Sequence, residues 1–117
     1  MLNIAVVLFA IAAVGGLAMA VLHFQGHTPP KPALAAVHGL FAASGLVVLL
    51  LAVLPTGARG GRGIALGLFL LAAIGGFGLL SFHLRKRALP SALLVAHALL
   101  AVGAFAILLW AVFVPAA

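Results

Sequence analysis

Along this chain apolar residues run almost unbroken, and polar residues gather in three short breaks. The apolar stretches cover 2–24, 33–54, 63–84 and 91–114. Each reaches the ~20 residues that a helix needs to cross a bilayer. The first break, Gln25 to Pro32, contains Pro29, Pro30 and Pro32 and cannot continue a helix. The second, Pro55 to Arg62, is a glycine-rich turn, and the third sets Arg85-Lys86-Arg87 before Pro90, a residue suited to opening a helix. Connections this short make successive helices antiparallel neighbours. The pattern predicts an all-α membrane protein: one transmembrane domain over 1–117, an up-down bundle of four transmembrane helices with no extramembrane domain.

The pattern also repeats. Leu8-Phe9-Ala10-Ile11-Ala12-Ala13-Val14-Gly15-Gly16, followed by His23, returns as Leu68-Phe69-Leu70-Leu71-Ala72-Ala73-Ile74-Gly75-Gly76, followed by His83. Ala33-Leu34 with His38 and Leu40 returns as Ala92-Leu93 with His97 and Leu99. Alanine and leucine matches are cheap in such a composition; the paired glycines and the two recurring histidines are not. The reading is two tandem two-helix repeats, 1–55 and 63–115. Each holds two spans, so the halves run parallel and are related by an axis along the membrane normal.

Composition narrows the chemistry. Apolar residues make up 68% of the chain and charged residues 5%, with six Lys plus Arg, no Asp or Glu, and no Cys. A water-facing surface needs roughly a quarter to a third of its residues charged, so a globular cytosolic protein is ruled out. Without carboxylates the chain supplies no glycosidase pair, Ser-His-Asp triad, carboxylate metal cage or acidic proton relay. Without cysteine it supplies no thiolate ligand or disulfide. Lys31, Arg85, Lys86 and Arg87 lie in the loops on one face, against Arg59 and Arg62 on the other. The excess of cations marks the cytoplasmic side, which places both termini away from the cytoplasm, in a membrane read as the bacterial inner membrane. The first span has no Lys or Arg before its apolar run, so it reads as a retained helix rather than a signal peptide, although Ala18-Met19-Ala20 mimics a cleavage site.

Five histidines carry the remaining chemistry, and ionisable residues inside spans are functional candidates by default. The repeat sets His38 opposite His97 at equal depth across the bundle axis, an arrangement suited to axial ligation of a haem iron. Ala42 and Gly45 follow along the His38 face, and Ala101 and Ala104 along the His97 face, all small at i+4 and i+7. They define a possible porphyrin slot, while Gly15-Gly16 and Gly75-Gly76 thin the other diagonal pair. Lys31 and Arg85, with Lys86 and Arg87, stand where haem propionates would emerge. His23 and His83, in the last turns of helices 1 and 3, read as interfacial caps, propionate contacts or the lining of an entrance.

Blander readings compete at each position. Small residues are the ordinary packing surface between membrane helices, and the cations already follow the topology rule. His38 and His97 also suit a hydrogen-bonded structural pair, another metal, or donors at a quinone site. His27 reads as a solvated loop residue, and Met19 as core, because its repeat counterpart is Leu79. Trp110 and Phe113 form an interfacial aromatic anchor, and Ser44 and Ser81 need only their own helix backbone.

Histidines from the second and fourth helices of a four-helix bundle resemble those of small b-type membrane cytochromes, such as the cytochrome b561 group and haem-bearing anchor subunits of respiratory dehydrogenases. The resemblance covers architecture and His38 with His97, with no sequence signature. It implies one haem b per chain and electron exchange with a quinone or a partner subunit. Di-haem members carry histidine pairs near both faces; here the face of Arg59 and Arg62 has none, which implies at most one haem. The alternatives are a non-catalytic structural or assembly subunit of a larger membrane complex and, third, a small transporter or channel. Under the first two views the partners are the lipid bilayer and further protein subunits or copies of the chain. Three clustered cations beside a membrane suit anionic headgroups and not nucleic acid.

Overall fold

The computed structural model describes residues 1–27 and 30–114, so the middle of the proline-rich break and the last three residues lie outside it. The described residues form four helices: α1 (Leu2–Phe24), α2 (Pro32–Val53), α3 (Gly60–Leu84) and α4 (Ser91–Phe113). A short 3-10 turn, Leu54–Thr56, follows α2. They contain no strand, and all four helices are long and apolar enough to span a membrane. A 23-residue helix is about 35 Å long, within a molecule of 46 × 21 × 20 Å. Large apolar side chains such as Val14, Leu17, Leu40, Ile74, Phe77 and Leu99 are exposed. A helix that is apolar on every side has no solvent face to offer.

Four boundaries differ from those expected, the first being the end of α2 at Val53, one residue early, where the 3-10 turn takes over. α2 begins one residue earlier, on Pro32, because the first helical position does not use its N–H. α3 begins at Gly60 rather than Gly63: Gly57, Ala58 and Gly60 all take positive φ, and the chain reverses within four residues. A Cβ at Gly63 would fall on the Ala58 carbonyl, so only glycine fits where that turn folds against the new helix. α4 ends at Phe113, one residue early.

α1 and α3 end in the same way. Gly26 (φ 83°) donates its N–H to the His23 carbonyl and His27 to Leu22; Lys86 (φ 54°) donates to His83 and Arg87 to Phe82. This crossed pair of bonds is the Schellman closure, which favours glycine at the left-handed position. Lysine there costs about 1–2 kcal/mol in steric strain. Lys86→Gly is therefore expected to stabilise the protein by about 1 kcal/mol. Thermal unfolding in detergent would check this, and an unchanged or lower midpoint would contradict it.

α1 packs closely on α2 and α3 on α4, and the pairs join through lighter α1–α4 and α2–α3 contacts. The buried positions recur at helical spacing: Ala5, Phe9 and Ala12; Gly45, Leu49 and Val53; Ala65, Leu66, Phe69 and Ala72; Ala104 and Leu108. At the centre Phe9 and Phe69 stack face to face, centroids 3.8 Å apart and planes within 2°. Alanine and glycine around them let the backbones approach, as close packing in a bilayer requires. All of this lies in the half nearer Arg59 and Arg62. Across 13–44 and 73–103, Pro30 is the one buried position among the described residues. The buried core thus occupies one half, and the half that carries every histidine has no buried helix position among the described residues.

Candidate functional site

His38 lies six residues into α2 and His97 six residues into α4, both where the packed half gives way to the half without a buried helix position. Their rings are 6.2 Å apart between centroids and inclined at 80°. His38 Nδ1 donates to the Ala12 carbonyl of α1 and His97 Nδ1 to the Ala72 carbonyl of α3, each at 2.7 Å. A carbonyl oxygen only accepts, so the proton sits on Nδ1, and a neutral ring keeps its Nε2 lone pair available.

The glycine pairs explain how the rings reach those carbonyls. In a helix the carbonyl of residue 12 also accepts the N–H of residue 16, and a side chain at 16 overhangs it. A Cβ on Gly16 would stand 2.9 Å from His38 Cε1, and one on Gly76 would stand 3.1 Å from His97 Cε1. Gly15 and Gly75 lie behind the histidine Cβ atoms, where a methyl would sit at an ordinary 3.5 Å. Gly16 and Gly76 are therefore the seats of the two imidazoles. The sequence pattern brought out these glycines as thinning residues. The Ala12 and Ala72 carbonyls escaped it, because backbone acceptors leave no trace beyond the recurring Ala-Ala-x-Gly-Gly.

The other expected site residues divide by depth. Ala42 and Ala101 are half-buried, one turn beyond the histidines. Gly45 and Ala104 are buried. The Phe9 ring occupies the space over Gly45, where a Cβ would meet it at 3.2 Å. The aromatic stack thus fills the bundle on the Arg59 and Arg62 side of His38 and His97; Phe9 and Phe69 were visible in the sequence as repeated positions without a role.

At the other end, His23 Nε2 hydrogen-bonds Ser91 Oγ at 3.1 Å, linking the end of α1 to the start of α4. His23 also meets Phe24 edge to face at 5.1 Å. The Nδ1 atoms of both His23 and His83 are buried without a partner. Lys31, Arg85, Lys86 and Arg87 are exposed, as are His27, Trp110 and Phe113, and Met19, Ser44 and Ser81 are half-buried. Among the described residues no three histidines converge on a common metal position, so the protein's own nitrogens offer a pair and not a cage. Compared with known proteins, the chain matches no family model, no curated protein and no solved structure.

Proposed function

We propose that this chain is a haem b-binding integral membrane electron carrier, or the electron-carrying subunit of a larger membrane complex, with His38 and His97 as axial ligands. The observation that carries the reading is the pair itself: two imidazoles held through Nδ1 by backbone carbonyls, each with Nε2 left over, 6.2 Å apart. Metal-bound histidines characteristically donate their second nitrogen in this way. His38 and His97 would hold the iron through Nε2. In the half beside the pair no helix position is buried, and Ala42 and Ala101 keep the adjoining turns slim. Lys31 and Arg85, exposed at the cationic end, suit carboxylate groups there.

The haem would supply one-electron transfer. The chain's residues orient the ligands, exclude water on one side through the Phe9–Phe69 stack, and balance the propionate charge. The exchange partner is a quinone or a neighbouring subunit, since loops this small recognise no soluble substrate.

Support for the finer architecture comes from paired details. The His38–Ala12 and His97–Ala72 bonds and the matching turns at Gly26 and Lys86 favour two tandem copies of one two-helix unit, arranged up-down-up-down. The cation excess supports an orientation with both termini away from the cytoplasm, and the inner membrane of a bacterium is the proposed setting. A phosphatase reporter fused after Ala117 is expected to be active only outside the cytoplasm; activity confined to the inside would reverse the orientation.

A pyridine haemochrome assay on protein isolated from its native membrane in mild detergent tests the cofactor, with one haem per chain expected. A second reading rests on the same two bonds: each histidine staples the helices of its own pair, and the chain is a structural subunit. Haem-free protein with no other bound metal would leave that reading standing, and a bare metal at one per chain would keep the ligand pair and remove the porphyrin.

A further inference from the structure

At the level of His23 and His83 the two seams between the helix pairs are unequal. The α1–α4 seam is latched by the bond from His23 to Ser91, the first residue of α4. The first residue of α2 is Pro32, which has no hydroxyl to offer in the matching place. His83, at the end of α3, makes no side-chain hydrogen bond with the described residues, and its Nδ1 is buried and unpartnered. The Nδ1 of His23 is in the same state, so what sets His83 apart is its Nε2, which has no counterpart to the Ser91 hydroxyl among the described residues.

We infer that the α2–α3 seam is a lateral portal from the bilayer, in which His83 anchors the ring oxygen of a quinone or quinol. This rests on the haem reading for its redox class. Apart from His38 and His83, α2 and the part of α3 from Ile64 to Leu84 carry no ionisable side chain. An occupant of the seam is therefore apolar except for one or two hydrogen-bonding atoms. A carrier entering an apolar seam between membrane spans arrives dissolved in the lipid. The oxygen of a quinone couple accepts in the oxidised form and donates in the reduced form. A single neutral imidazole, with one N–H and one lone pair, answers both. In the latched seam His23 Nε2 is engaged with Ser91, whereas His83 Nε2 makes no side-chain hydrogen bond with the described residues.

The test measures equilibrium binding of decylubiquinone and of menadione to the protein in nanodiscs, read from the shift of the ring carbonyl stretch in infrared difference spectra. Haem content is assayed on the same samples. The expected result is that His83→Ala loses the shifted carbonyl band and weakens binding about tenfold, the worth of one hydrogen bond. His23→Ala should leave both unchanged. Pro32→Ser, which installs the missing latch, should weaken binding several-fold without removing haem. Wild-type affinity in His83→Ala, equal losses in His23→Ala and His83→Ala, or competition by phosphatidylglycerol but not by neutral lipid would each overturn the portal. The last would make the site one for anionic headgroups. Haem without quinone binding sinks this inference alone, and quinone binding without haem supports the portal while removing the haem reading.

Discussion

In His38→Ala the low-spin spectrum, with its sharp α and β bands on reduction, is expected to vanish. What remains should be haem-free protein or a five-coordinate, high-spin iron, and His97→Ala should behave alike. Losing only the carbonyl partner of a ligating histidine costs about 10–100-fold in metal affinity, so losing the ligand itself should cost at least the upper end of that range. The staple reading predicts lower stability as well, so stability alone cannot separate the two. Rescue can: in His97→Gly, added imidazole should restore the low-spin bands, because a free ligand replaces a lost ligand. It cannot replace a tether between α3 and α4. A wild-type spectrum in either alanine variant would remove these histidines from the iron.

Gly16→Ala should be nearly as informative. Its new methyl would stand 2.9 Å from His38 Cε1 and 3.2 Å from the Nδ1 that bonds the Ala12 carbonyl. The ring must tilt and lengthen its 2.7 Å bond, or the helices must part. Overpacking of this kind costs about 1–3 kcal/mol. The neighbouring Gly15→Ala, with 3.5 Å of clearance, should cost little. Gly76→Ala, at 3.1 Å, should fall between them. Thermal midpoints of the three variants, read beside the width of the low-spin bands, check the order. Equal effects at Gly15 and Gly16 would mean that these glycines serve helix packing in general and not the imidazole.

The spans were legible because a bilayer imposes the strongest pattern a sequence can carry. Twenty apolar residues between prolines or cations admit one interpretation, and the helices depart from it by at most three residues, at Gly60. The meeting of His38 with His97 was legible through the recurrence of both at matched depth. What stayed hidden was the division of the bundle into halves. Apolar residues fill both halves at similar density, so hydropathy is blind to it. The difference arises where Phe9 and Phe69 reach across a diagonal to stack, a contact between residues 60 apart. The bond from His23 to Ser91 was hidden for the same reason, since serine at a helix start reads first as a cap.

The packed half fixes where along the membrane normal any chemistry at His38 and His97 takes place. Both histidines stand six residues from the cationic end of their helices, a depth of about 9 Å. That is about a third of a hydrocarbon core of about 30 Å. On the haem reading, an electron reaching an iron held by them from that end would cross about a third of the voltage drop, worth about 0.8 kcal/mol per 100 mV. Beyond them lies the undivided dielectric of the Phe9–Phe69 plug. Oxidation and reduction of an iron so held would respond only weakly to the transmembrane potential, as at a local electrode on one membrane face.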